Sequence, residues 1–202
     1  MVTTTQSVDL VDGAVVRSFV RAAVLAAVIS ATAYVSIPIP LSPVPFTLQV
    51  LFVFLAGLLL GPVWGPISMV LYLTAGAIGV PVFAGGQGGL GVLAGYTGGY
   101  LLAYPVAAFV IGLFVHRAPS LADATDTPVR DPGEASLPVL VVSLSAGLLL
   151  VYGIGVPWLA WVLELELLEA VVIGAAYYVP MDLLKLVAAI AIVRSGRLDV
   201  GA

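Results

Sequence analysis

The sequence predicts an all-α integral membrane protein: a bundle of six transmembrane helices with both termini in the cytoplasm. Three observations point there. Of its 202 residues, 61% are hydrophobic and only 9% charged, where a soluble domain carries about 25% charged residues. From Ala22 to His116 there is no formal charge at all, a length that only lipid or a very large core accommodates. The apolar runs are also long and unbroken by the period-two alternation of barrel strands, so they read as helices.

The expected organisation is a polar tail at 1–14, a six-helix membrane domain at 15–197 and a short tail at 198–202. The tail has no hydrophobic core and no signal-peptide pattern. The first span runs from about Val15 to Ile37. Four prolines then fall within residues 38–45, which no helix interior or central strand tolerates, so this stretch is an extended loop. Phe46–Leu60 and Ile67–Val80 are apolar but short, joined by the tight turn Gly61-Pro62-Val63-Trp64-Gly65-Pro66. Neither reaches across a core of about 30 Å at about 1.5 Å per residue. Short, proline-interrupted spans mark binding sites, because irregular backbone at membrane depth has to line a protein cavity. A glycine-rich stretch covers 81–99. The fourth span is about Thr97–Val115, followed by a polar cytoplasmic loop at 118–136. The fifth is Leu137 to about Ala160, with Trp158 and Trp161 at a membrane interface. A short outer-edge helix lies between Glu164 and Val179, and the last span is Pro180–Arg197.

Arg17, Arg21, Arg117, Arg130, Arg194 and Arg197 all fall on one side of a six-span topology. The positive-inside rule makes that side cytoplasmic. The proline loop, the glycine loop, the Glu164 region and the start of the last helix then converge on one outer mouth.

Pro180-Met181-Asp182-Leu183-Leu184-Lys185 is the most informative stretch. Lys185 is the only lysine, and Asp182 lies three residues earlier on the same helical face. A charge within a membrane segment costs about 2.5–3.5 kcal/mol on insertion scales, and such residues mark substrate or ion paths. Pro180 suits the first helical turn, and Asp182 there complements the helix dipole. A carboxylate near the mouth and an ammonium one turn deeper suggest a ligand with N–H donors at one end and an anion at the other.

Other classes are excluded by what is missing. There is no cysteine and a single histidine, so disulfides, thiolate chemistry and a protein-built transition-metal site are not expected. Gly86-Gln87-Gly88-Gly89-Leu90-Gly91 matches a dinucleotide fingerprint in letters only, since no βαβ pattern surrounds it and no acid follows. No P-loop is present, so the chain hydrolyses no ATP by that route. The acidic tails and loop repel nucleic acid. No cofactor is expected. Gly85 and Gly86 instead suggest a loop that closes over a ligand and offers backbone N–H groups. Thr47 suits a helix start, and Gln49 in lipid needs a partner and so faces the bundle. Phe46, Phe83, Tyr96, Tyr100, Tyr177 and Tyr178 are candidate pocket walls. Ala22/Ala26 and Ala23/Ala27/Ala31 form small-xxx-small rows that permit close helix approach.

Together, Pro43-Val44-Pro45-Phe46-Thr47-Leu48-Gln49, Leu55-Ala56-Gly57-Leu58-Leu59-Leu60-Gly61-Pro62, Gly79-Val80-Pro81-Val82-Phe83-Ala84-Gly85-Gly86, Thr97-Gly98-Gly99-Tyr100 and Pro180-Met181-Asp182-Leu183-Leu184-Lys185 resemble the BioY family over about residues 15–195. These are the biotin-binding substrate (S) components of energy-coupling factor (ECF) transporters. Met181 and Tyr96 stand where members commonly have glycine and proline. The resemblance implies a six-helix S-component fold, an outward-facing biotin site and a place in the cytoplasmic membrane. It also implies coupling to a transmembrane partner and two cytoplasmic ATPases. Asp182 and Lys185 are then the binding pair, and the Ala22–Ala31 rows the partner surface. The rival readings are a stand-alone, proton-coupled secondary transporter with Asp182 as its proton site and, at a distance, an intramembrane enzyme.

Overall fold

A computed structural model of the chain describes residues 13–117 and 130–196. Residues 1–12 of the expected tail at 1–14, the expected tail at 198–202, Arg197 and most of the expected loop at 118–136 lie outside the described residues. The fold is mainly helical: α1 (Gly13–Thr32), α2 (Gln49–Ala77), α3 (Leu90–Ala94), α4 (Gly98–His116), α5 (Leu137–Leu163), α6 (Leu167–Val171) and α7 (Val179–Arg194). A π-helical turn, Val172–Ala176, links α6 to α7. Four of these helices, α1, α2, α4 and α5, are long and apolar enough to cross a membrane, and the bent pair formed by Leu167–Ala176 and Val179–Arg194 makes up to five. The chain is thus a multi-pass membrane protein.

α2 is not straight. Its helical run is interrupted at Gly61, with φ 73° and ψ −170°, a region essentially closed to residues with a Cβ. Pro62 follows at a first-turn position, where its missing N–H is not needed. The two arms, 49–60 and 62–77, fold back on each other. Gln49 on the first arm hydrogen-bonds to Tyr72 on the second, although 23 residues of straight helix would separate them by roughly 34 Å. A Cβ on Gly65 would lie 2.7 Å from the Ala56 carbonyl oxygen, so the arms meet closely at the turn. The two short apolar segments expected from the sequence are these arms.

α4 packs along both arms. A Cβ on Gly112 would come within 2.5 Å of the Pro62 nitrogen, and one on Gly57 within 2.7 Å of the Ala108 carbonyl oxygen, so only glycine allows this approach. His116 is buried as a clamp. Its Nε2 bonds the Leu58 carbonyl at 3.0 Å and its Nδ1 accepts from the Arg130 N–H at 3.0 Å. It ties α4, the first arm of α2 and the chain entering α5.

The first span is shorter than the hydropathy suggests. α1 stops at Thr32, and Ser36–Ile37 (β1) pairs antiparallel with Phe46–Thr47 (β2). This clip closes the proline loop at its neck, so α2 begins at Gln49 rather than Phe46. α1 is mostly exposed, and its two alanine rows separate. Ala22 and Ala26 are buried against the bundle, whereas Ala27 and Ala31 are exposed and Ala23 half-buried. The expectation that all five form an outer surface is therefore corrected for Ala22 and Ala26, because their Cβ atoms fill the seam with α2.

The described arginines gather at the Gly61 end of the bundle. Ser18 and Arg21 lie beside Leu59, Leu60 and Trp64. Arg117 and Arg130 share a cleft with Ser136, and Arg194 donates to the Ala135 carbonyl at 2.7 Å. The opposite end collects the proline loop, the glycine loop, the π-turn and the start of α7.

Candidate functional site: a tyrosine-walled cavity over a buried ion pair

At that opposite end the bundle surrounds a cavity with about 780 Å3 of empty space, its open mouth included. β2, α2, the glycine loop, α4, α5, the π-turn and α7 each contribute to the wall.

Asp182 and Lys185 sit on the inner face of α7, three residues apart and both buried. The Lys185 Nζ lies 2.5 Å from Asp182 Oδ1, and the Tyr152 hydroxyl donates to Oδ2 at 2.5 Å. The Lys185 ammonium also lies 4.2 Å from the centroid of the Phe46 ring, a cation–π contact that strengthens out of water. A carboxylate accepts at about four lone-pair positions and an ammonium donates three N–H bonds. Two of the former and one of the latter are used, which leaves capacity on both for a ligand. At this separation the two charges form one composite polar spot.

The walls are aromatic. Tyr100 and Tyr152 meet edge to face at 6.4 Å, and the Tyr100 hydroxyl donates to the Gly174 carbonyl at 2.9 Å. Tyr178 donates to the Val44 carbonyl, while Ser42 donates to the Ile173 carbonyl at 2.6 Å and accepts from the Val44 N–H at 3.1 Å. The proline loop is thereby tied to the π-turn, whose altered helical ladder turns carbonyls toward neighbours. Phe83 stands edge-on to Tyr72 at 5.5 Å, seated against Gly76, where a Cβ would meet the ring at 2.1 Å. Thr47 accepts from the Gln49 N–H at 3.3 Å and donates to Gln49 Oε1 at 2.9 Å. The Gln49 amide is thus held between Thr47 and Tyr72.

Of the residues singled out from sequence, Phe46, Thr47, Gln49, Phe83, Tyr96, Tyr178, Asp182 and Lys185 all line the cavity. Gly85 and Gly86 do not, which corrects that expectation. The Gly85 N–H donates to the Ala33 carbonyl at 3.0 Å and the Gly86 N–H to the Phe83 carbonyl at 2.9 Å. Both adopt positive φ, so they shape the tight turn that presents Phe83 and offer the cavity nothing. Tyr177 points away and is 39% exposed. Sequence reasoning missed Tyr104 and Tyr152. Their signal was a hydroxyl in mid-span, where burial demands a partner. Among the described residues no group of three His, Cys, Asp or Glu side chains gathers to hold a metal.

A sequence profile described as the BioY family matches residues 3–201. The chain belongs to the BioY family. It is 38% identical over 185 residues to a protein named biotin transporter BioY from Thermotoga maritima, covering 91% of this chain and 98% of that one. It is 37% identical over 163 residues to a probable biotin transporter BioY from Pyrococcus horikoshii, covering 81% and 85%. A solved structure, described as the S-component for biotin from an ECF-type ABC transporter, superposes with a TM-score of 0.77 at 30% identity over 93% of this chain and 94% of that one. The BioY fold is therefore shared along nearly the whole chain.

Removing one partner of a buried ion pair costs about 3–5 kcal/mol, while replacing both is far milder. Lys185→Met is expected to lower the unfolding midpoint in detergent well below that of the Asp182→Asn/Lys185→Met double variant, measured by thermal denaturation of the two side by side.

Proposed function

We propose that this chain captures biotin from outside the cell and serves its uptake across the cytoplasmic membrane as the substrate-specific subunit of an ECF transporter. The observation that carries the reading is the buried Asp182–Lys185 pair at the base of a tyrosine-walled cavity, in a chain whose relatives are named for biotin. Biotin combines a cyclic urea, an apolar fused ring and a carboxylate tail. The apolar body suits Phe46, Phe83, Tyr96 and Tyr178, and the urea suits the charged pair and the Thr47–Gln49 amide. Biotin is the cargo. The chain has no cofactor, metal or catalytic group in this reading, and no enzymatic step of its own.

With both arms of α2 counted, the chain crosses six times: α1, the two arms, α4, α5 and α7. The arginine-rich Gly61 end faces the cytoplasm, which puts both termini there and opens the cavity outward. The membrane domain is 15–197, with 118–136 as its cytoplasmic loop and the stretches on either side as tails. Partners supply the energy, namely a transmembrane coupling protein and two ABC-type ATPases, since this chain carries no P-loop. The outward row Ala23, Ala27 and Ala31 on α1 is the face for close approach by the coupling protein. A proton-coupled carrier built on Asp182 is disfavoured, because Lys185 and Tyr152 already compensate that carboxylate.

Calorimetric titration of the detergent-purified chain is expected to show one-to-one biotin binding with nanomolar affinity. Asp182→Asn, Lys185→Ala and the folded Asp182→Asn/Lys185→Met double variant are each expected to lose tight binding. Biotin binding of normal strength by that double variant would remove the pair from the site.

Ala27→Leu is expected to reduce co-purification with the coupling protein while biotin affinity stays unchanged. Ala22→Leu is expected to lower thermal stability by about 1–3 kcal/mol through overpacking.

A further inference from the structure

The cavity has one charged spot and one open end, and this asymmetry limits how an elongated ligand lies in it. Lys185 Nζ and Asp182 Oδ1 are 2.5 Å apart, so they present a hydrogen-bond donor and an acceptor side by side. Lys185 is the only Lys, Arg or His among the residues that line the cavity, and Asp182 the only Asp or Glu. Both are buried, as are Tyr100 and Tyr104 near them. At the other end Gln87 is exposed and Tyr96 and Thr97 are half-buried, so the mouth lies between the glycine loop and the start of α4.

On the reading that the ligand is biotin, its two polar ends differ in complementarity to this spot. A cyclic urea carries N–H donors next to a carbonyl acceptor. It meets Asp182 and Lys185 together, N–H to carboxylate and C=O to ammonium, with every polar group matched. A carboxylate carries acceptors only. It would meet Lys185 while pressed against Asp182, with like charges in a low-dielectric site. The fused sulfur-containing ring and a chain of four methylenes separate the two ends of the ligand, so a spot this narrow engages one of them. The urea therefore goes to the base of the cavity and the carboxylate lies toward the mouth. There no lining residue carries a positive charge, and water solvates the anion.

We infer that the charge of the carboxylate contributes little to capture, and that the site also takes biotin capped as a small neutral amide or ester. Recognition lies in the urea, and the substrate class is wider than free biotin. Biotin joined through its carboxyl to an amine is the form of greatest interest, because amide linkage leaves the urea and ring unaltered.

The test is competition calorimetry on the full chain in detergent with biotin, biotinamide, biotin methyl ester and lipoate, which keeps the carboxylate tail but lacks the urea. Biotinamide and the ester are expected to bind within about tenfold of biotin, and lipoate at least about a thousandfold more weakly. A loss beyond about tenfold for both neutral derivatives, or lipoate within about a hundredfold of biotin, overturns the inference and returns the carboxylate to Lys185. If biotin itself fails to bind folded protein, the biotin reading falls too, which is a separate and recognisable outcome.

Discussion

The contact between Lys185 and Asp182 is the constraint on which the rest of the site depends. Neither charge is tolerable alone at membrane depth, where an uncompensated ion costs several kcal/mol. Together, with the Tyr152 hydroxyl on the second carboxylate oxygen and the Phe46 ring against the ammonium, they form a polar spot that is neutral overall. Such a spot is still poorly matched to lipid or to an apolar wall. It is matched best by a group that offers donor and acceptor at once, and left unmatched it is a liability to the fold.

The backbone around the pair follows from the same need. Continuous straight helices would cover the charges with side chains and leave no room for a ligand. The Gly61 break halves α2 into arms of roughly 18 and 24 Å at 1.5 Å per residue, both shorter than the membrane core. The space beyond them is filled by loops whose polar backbone is satisfied internally. Gly85, Gly89 and Phe83 donate to the Ala33, Gly76 and Gln87 carbonyls, and Ser42 and Tyr178 hold the proline loop. Irregular backbone is tolerated here because it lines a cavity rather than facing lipid. The other end is closed by His116, whose two ring nitrogens each hold a different segment.

Much of this was legible in the sequence. A single lysine three residues after an aspartate, in an otherwise lipid-soluble stretch, identified the pair. The prolines of 38–45 and the Gly61–Pro66 turn identified the loop and the hairpin, because no regular element accommodates them. Three features were hidden. The fate of the Gly85 and Gly86 N–H groups depends on Ala33 and Phe83 carbonyls, which no local pattern reveals. Tyr152 offered only a mid-span hydroxyl, and the partner that such a hydroxyl needs is 30 positions away. The alanines of α1 read as one surface, although a helix separates Ala22 from Ala23 by about 100° and so puts them on different faces.

On the proposed function, Lys185 and Asp182 act as one unit on the urea. The most direct measurement is an isotope-edited infrared difference spectrum of bound biotin, labelled with carbon-13 at the ureido carbonyl in one sample and at the carboxylate in another. A lowered, sharpened ureido carbonyl band is expected on binding and is lost in Asp182→Asn/Lys185→Met, with the carboxylate band close to its position in water. A shifted carboxylate band beside an unchanged ureido band would contradict it.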